Sequence, residues 1–174
     1  YGGSCFPKDT RALIDIANKF RTNMSIVKSV VSSNNKRKIL LIQKVKSILN
    51  NKLQNRKITF LGVTFKPNTD DMREASSIPM INFLNKKKCK ITYHDPSGEK
   101  VEFQNLKNVK YCNNLALSCL NSDLIILHTE WNDYRLLNFK KLIKKTNFKI
   151  FDMRNIYSPI KMKKLNIKYF GIGR

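Results

Sequence analysis

The stretch ITFLGVTFKPNTDDMREASSIPMINFLNK, residues 58–86, decides the fold. It opens on a short apolar run, Ile58 to Val63, bounded by polar residues, which reads as a buried strand. A long loop rich in functional residue types follows, Gly62 to Ser77. Ile78 to Lys86 then reads as a helix, with Ser76 or Ser77 available as its cap and Pro79 tolerated in its first turn. A buried strand feeding a helix is the repeating unit of a parallel sheet.

The unit recurs towards the C-terminus. Lys90 to His94 is a strand. Asn114 to Leu120 is a short helix before Leu124 to Leu127, a strongly buried strand. Tyr134 to Lys145 is helical, Lys149 to Phe151 a strand, Ser158 to Leu165 a helix and Lys168 to Phe170 a last strand. The fold class is therefore α/β, and residues 56–174 are expected to form a Rossmann-like parallel sheet with helices on both faces. Such sheets bind ligands beyond the carboxyl ends of their strands. The Gly62–Ser77 loop and the Asp152–Tyr157 loop are thus expected to line one crevice.

Residues 1–55 have a different character. Leu13, Ile16, Ala17 and Phe20 fall on one face of a helix over 9–22, with Asp9 or Thr10 as its N-cap. A second helical stretch runs from Met24 or Ser25 to about Asn50. Its apolar stripe is interrupted by the polar segment Ser32 to Lys38, where a bend or a solvated stretch is expected. These helices have few partners within residues 1–55, so their apolar faces are expected to pack on the second domain, a missing segment or another chain. The polar segment NNKLQNRK (50–57) reads as the linker.

Composition narrows the function classes. Hydrophobic content of 41% suits a globular fold, and no apolar run approaches a membrane span. The net charge of +22 raises nucleic-acid binding. Against it, 26 Lys stand beside only 8 Arg and are scattered through helices and loops, whereas Arg is favoured for bidentate phosphate and base recognition. The charge is read as a solvated lysine surface, with no nucleic-acid partner. Cys5, Cys89, Cys112 and Cys119 form no Cys-x-x-Cys pair, and His94 and His128 are isolated, so no metal site is expected. Both histidines are read as packed or solvated residues rather than catalysts, and Trp131 as a packing residue. A reducing, cytoplasmic setting is the expectation. The chain has no starting methionine and opens inside a motif, which is read as a fragment or split product.

That motif is YGGSCFPKDT, residues 1–10. Paired glycines allow a tight turn and close approach to a ligand. Lys8 and Asp9 place a cation and a carboxylate near the thiol of Cys5, the arrangement of a covalent-catalysis loop. The alternative is a glycine turn before a helix, with Cys5 a small buried hydrophobe. No Gly-x-Gly-x-x-Gly follows any strand, so a dinucleotide fingerprint is absent from these residues.

GGSCFPKDT (2–10) resembles the active-site segment of the UDP-glucose 6-dehydrogenase family. GVTFKPNTDDMREASSIPMINFL (62–84), TEWNDYRLL (129–137) and FDMRNIYSPIKMKKLNIKYFGIGR (151–174) resemble further segments of that family, in the same order. The resemblance implies a division into 1–55, the end of a central helical domain carrying the cysteine loop, and 56–174, the C-terminal UDP-sugar-binding domain. It implies an NAD-dependent oxidation of UDP-glucose to UDP-glucuronate, using two NAD per turnover, through a thiohemiacetal and a thioester on Cys5. By resemblance Cys5 and Asp9 are catalytic, Lys8 and Arg73 contact the cofactor, and Gly2, Lys66 and Arg154 contact the substrate. The residues leave Arg73 equally open to an ion pair with Asp70, Asp71 or Glu74. Asp71-x-x-Glu74 resembles a capping box. The FDMRN turn departs from relatives that carry glycine before the arginine. Expected partners are UDP-glucose and either a second copy in a homodimer or an N-terminal half bearing the NAD domain. A GDP-mannose 6-dehydrogenase, or a non-catalytic nucleotide-sugar-binding or association module, is the alternative.

Overall fold

The computed structural model describes residues 1–142 and 149–173. Two helices come first, α1 (Cys5–Lys19) and α2 (Ser25–Ile48). Six strands follow: β1 (Lys57–Leu61), β2 (Lys90–His94), β3 (Val109–Tyr111), β4 (Leu124–Leu127), β5 (Lys149–Asp152) and β6 (Lys168–Phe170). Between them lie α3 (Ser77–Lys86), α4 (Leu115–Cys119), α5 (Asn132–Arg135), α6 (Phe139–Leu142) and α7 (Pro159–Lys164). All pairings are parallel, in the order β3-β2-β1-β4-β5-β6. The order reverses between β1 and β4, so the switch point of this doubly wound sheet lies beyond Leu61 and Leu127.

Strand alternation divides the core in two. Ile58, Phe60, Leu124, Ile126 and Phe151 face one side, where Met80, Ile81 and Leu84 of α3 and Leu41, Val45 and Ile48 of α2 cover them. Leu61, Ile125, Leu127 and Ile150 face the other, packed against Cys119, Tyr134, Phe139 and Met162 from α4 to α7. Helices on both faces are what a sheet of continuously apolar parallel strands requires.

Several local expectations are corrected. The first helix starts at Cys5, so Asp9 lies inside it and caps nothing; Ser4 holds the N-cap position without a side-chain capping bond. Thr10 instead donates back to Phe6 O and Pro7 O. Of the two expectations for Ser32–Lys38, the bend is absent, since α2 is unbroken there, and the solvated stretch is what forms. The 50–57 segment is not a free polar connector. Leu53 is buried in the core and its carbonyl accepts from the Cys89 thiol, while Asn50, Asn51 and Asn55 take positive φ to make its turns. The helix expected over 134–145 is two short pieces, α5 and α6; its end, 143–145, lies outside the described residues. Asp71 and Glu74 form no capping box. Asp71 accepts from Arg73, and the N-cap of α3 is Ser76, whose hydroxyl turns to His128.

The outer faces of α1 and α2 expose Leu13, Ile16, Phe20, Ile26, Ile39 and Leu40. No helix among the described residues is long and apolar enough to cross a membrane.

Candidate functional site

The cysteine segment lies across the C-terminal edge of the sheet, because the loop after β1 is shaped to receive it. Gly3 has φ +79°, and its N–H donates to Arg73 O at 2.9 Å. A Cβ on Gly3 would stand 2.7 Å from Phe65 Cζ, and one on Gly2 would stand 3.2 Å from Glu74 O. Only glycines let the backbone come this close to the Phe65 ring while turning left-handed.

Cys5 opens α1 and is exposed, with Ser4 Oγ 3.4 Å from its sulfur. Asp9 is four residues on, so it shares a helix face with Cys5. The Lys8 ammonium lies 3.7 Å from the Asp9 carboxylate, both largely solvated. The first turn of a helix leaves backbone N–H groups without partners, a setting that favours negative charge on a group held there.

Below the segment is a cavity of about 300 Å³. Gly2 and Tyr1 form one wall, Lys38 and Arg37 of α2 another, Phe65, Glu74 and Ser76 of the post-β1 loop a third, and His128, Met153 and Arg154 the strand ends. The loops after β1 and β5 thus line one crevice. Of the expected site residues, Gly2 and Arg154 line it. Cys5, Lys8, Asp9, Lys66 and Arg73 do not line it and are exposed.

Arg154 is fixed by its own surroundings. Its backbone N–H donates to Asp152 Oδ1 at 2.9 Å, while Nε donates to His128 O at 2.7 Å and Nη2 to Phe65 O at 3.2 Å. Glu130 Oε2 lies 2.9 Å from Nε, an ionic contact, since the single Nε proton is directed at His128 O. Arg154 therefore ties together the loops after β1, β4 and β5. Lys66 is exposed, its ammonium 5.4 Å from the Phe65 ring centre. Arg73 is held by Asp71 through Nε at 2.8 Å and Nη2 at 3.0 Å. That hydrogen bond raises the guanidinium above its ordinary range, with the nearby Cys5 adding a smaller upward push, and holds the Asp71 carboxyl below the usual carboxylate range.

His128 is buried at the cavity wall. Thr129 Oγ1 donates to Thr64 O, so the imidazole donates to Thr129 from Nδ1, and Nε2 is left to accept from Ser76 Oγ at 2.9 Å. Burial, with a smaller contribution from Arg154, pushes its pKa down to about 3. The ring is thus a neutral strut that aims the Ser76 hydroxyl, and too weak a base to take a proton near pH 7. Trp131 packs at the edge of the second core, its indole N–H buried without an acceptor among the described residues. His94, also buried, meets Tyr134 Oη at 3.1 Å.

The sequence placed the Gly62–Ser77 loop at this crevice without singling out Phe65, Glu74 or Ser76 within it, and it gave no sign of Lys38. Their side chains meet across long sequence separations, and no local pattern announces such a meeting. As for cofactors, Lys8 and Arg73 are exposed cations on the cysteine side, suited to meet an anionic group arriving from solvent. No glycine fingerprint accompanies them. Among the described residues no cluster of three metal-ligating side chains exists.

Comparison with known proteins agrees with this geometry. Residues 59–159 match the UDP binding domain of the UDP-glucose/GDP-mannose dehydrogenase family, and residues 1–36 match its central domain. The chain is 34% identical over 176 residues to a UDP-glucose 6-dehydrogenase of Rickettsia felis, covering 99% of this chain and 39% of that protein. It is 35% identical to one from Rhizobium meliloti, covering 100% of this chain and 40% of the other. A UDP-glucose dehydrogenase structure from Pyrobaculum islandicum superposes with a TM-score of 0.80 at 28% identity, over 98% of this chain and 37% of that one. The chain therefore spans about 40% of the length of its curated relatives. A parallel sheet of this order, a cysteine loop seated on its switch-point edge and two collinear domain matches together place the chain in the UDP-glucose/GDP-mannose dehydrogenase family.

Proposed function

We propose that these residues supply the cysteine loop and the nucleotide-sugar-binding domain of an NAD-dependent UDP-glucose 6-dehydrogenase of the cytoplasm. The observation that carries the reading is the seating of Gly2–Cys5 on the post-β1 loop, beside the cavity walled by Arg154. In this reading Lys66 and Arg154 meet the pyrophosphate of UDP-glucose, a task for cations, and Gly2 approaches the sugar with its backbone. A first oxidation takes the sugar's primary alcohol to the aldehyde, its proton lost to a base and its hydride accepted by a first NAD. Cys5 attacks the carbonyl carbon of that aldehyde. The new C–S bond gives a thiohemiacetal, loss of hydride converts it to a thioester, and water releases the carboxylate and restores the thiol. Asp9, on the same helix face, accepts the proton from the attacking water. NAD, when bound, supplies the hydride acceptor; Lys8 and Arg73 meet its phosphates. The exposed apolar faces of α1 and α2 are covered by the remainder of the enzyme or by a second copy in a homodimer.

Calorimetric titration of the 174-residue chain tests the binding part. UDP-glucose should bind saturably, with a Kd of roughly high micromolar to millimolar, because much of the enzyme is absent. Equal heats from UDP-glucose and inorganic polyphosphate at matched salt would mean that only the diffuse charge was measured. Joining residues 1–174 to the preceding part of the Rhizobium relative tests the chemistry. That graft should form NADH, and Cys5→Ser should stop acid formation; full activity of the serine variant would end the covalent mechanism.

A further inference from the structure

We propose that Glu74 is a positioning residue whose carboxylate latches α1 and α2 to the post-β1 loop and so fixes where Cys5, at the start of α1, is held. Its catalytic meaning rests on the reading of Cys5 as the reactive thiol; the latch itself rests on geometry.

Glu74 accepts from Arg11 Nη1 at 3.0 Å with one oxygen and from Lys38 Nζ at 2.6 Å with the other. Arg11 belongs to the helix that Cys5 opens, and Lys38 lies in α2 on the cavity wall. One carboxylate therefore joins three elements. Its backbone faces the same segment, since a Cβ on Gly2 would meet Glu74 O and the preceding residue's carbonyl accepts from Gly3 N. The Lys38 and Arg11 bonds, in that order, hold its carboxyl below the usual carboxylate range.

The backbone gives a second, independent reason. Glu74 has φ +58°. Of the ten non-glycine residues with positive φ among those described, seven are asparagine, the type that tolerates this region. Arg21, Glu74 and Lys88 are the others, and of these only Glu74 ties three elements with its side chain. Asparagine would suit the φ but would not span to both cations. A strained residue kept where an unstrained one is available points to a role for its side chain.

The test uses the 174-residue chain in a Cys112→Ser background, with a fluorophore on Cys5; Cys89 and Cys119 are buried. Hydrogen exchange and label anisotropy are read together. Glu74→Gln keeps the shape and removes the charge. It should raise amide exchange over residues 3–12 by about tenfold or more and lower the anisotropy at Cys5, while exchange in β1, β4 and β5 stays unchanged. Arg11→Gln and Lys38→Gln should each give part of this and add little to Glu74→Gln, because the shared acceptor is already gone. Unchanged exchange at residues 3–12, additive effects, or equal loosening of the central strands would each overturn the latch. Arg11 is half exposed, so Arg11→Gln keeps the test alive should a change at Glu74 prevent folding. A failure of the Cys5 reading would show instead as turnover retained by the Cys5→Ser graft, with this exchange pattern intact.

Discussion

Replacing Gly62 with alanine should be among the most damaging single-methyl additions available in this chain. Gly62 follows β1 directly, at the switch point of the sheet, with φ +74° and its N–H donating to His94 O at 2.9 Å. A Cβ there would stand 2.5 Å from Thr129 Cβ, 2.9 Å from Thr129 O and 3.1 Å from Thr129 Cα. Two of those atoms are backbone, so a side-chain rotation does not relieve the clash. Gly98 provides the control: its φ is +90°, but nothing lies within 4 Å of its Cβ position. Both substitutions carry the left-handed cost of about 1–2 kcal/mol. Only Gly62→Ala adds overpacking of about 1–3 kcal/mol. Urea unfolding followed by circular dichroism should therefore show a loss of about 2–5 kcal/mol at Gly62 and about 1–2 kcal/mol at Gly98. Thr129 also holds His128 and Thr64 in the cavity wall, so residual folded Gly62→Ala protein should bind UDP-glucose poorly. Equal losses at the two glycines would refute the argument, because the close approach to Thr129 would then contribute nothing.

Lys66→Ala should weaken UDP-glucose binding by roughly tenfold, read by calorimetry at low salt; an unchanged affinity would remove Lys66 from the site. His128, ordinarily near 6.5 and here pushed down to about 3, stays neutral when folded. Below pH 6.5 the unfolded chain binds a proton that the folded chain refuses, so stability falls as pH drops towards 3, by about 1.4 kcal/mol per unit. Comparing unfolding at pH 7 and pH 5, His128→Gln should lose about 2 kcal/mol less than the unaltered chain; identical slopes would contradict burial of a neutral ring. Lys149 Nζ donates to Ile48 O at 2.6 Å at the C-terminal end of α2, so Lys149→Met should cost about 1 kcal/mol without changing UDP-glucose affinity. No change in the unfolding midpoint would mean that this contact is not stabilising.

The sheet was legible in the sequence wherever a strand is an apolar run. Leu124–Leu127 is buried at all four positions and was found to the residue. Strand β3, Val109–Tyr111, was not found: it is three residues at the sheet edge with Lys110 exposed, and only its backbone bonds to β2 make it a strand. The 134–145 helix failed for a related reason. Its apolar residues do not share one buried face: Leu136 is 87% exposed, while Tyr134 is anchored by its hydroxyl to His94 O. At the candidate site, the glycine turn, the thiol and its neighbouring charges are sequence neighbours, so they could be read directly. The surface that receives them could not. Arg11 and Glu74 are 63 residues apart, Lys38 and Glu74 are 36 apart, and Phe65 reaches Gly3 only through folding.

Helix α2 has a consequence for recombining relatives of this chain. Its 24 residues run unbroken for about 36 Å. Near its middle it touches the cysteine segment, where Asn34 Nδ2 donates to Tyr1 O. Its C-terminal part supplies Leu41, Val45 and Ile48 to the core under β1, and Lys149 caps it from β5. A chimera joined at the turns of residues 50–56 would carry a sheet stripped of part of its own packing and would expose Ile58, Phe60 and Met80 to whatever foreign helix arrived. A crossover placed ahead of Leu41, in the solvated Ser32–Arg37 stretch, keeps that packing native and leaves the seating of the cysteine segment to be matched, chiefly Gly3 on Phe65 and Arg11 on Glu74. Functional hybrids in this family should therefore cluster at junctions inside the helix rather than in the connector that follows it.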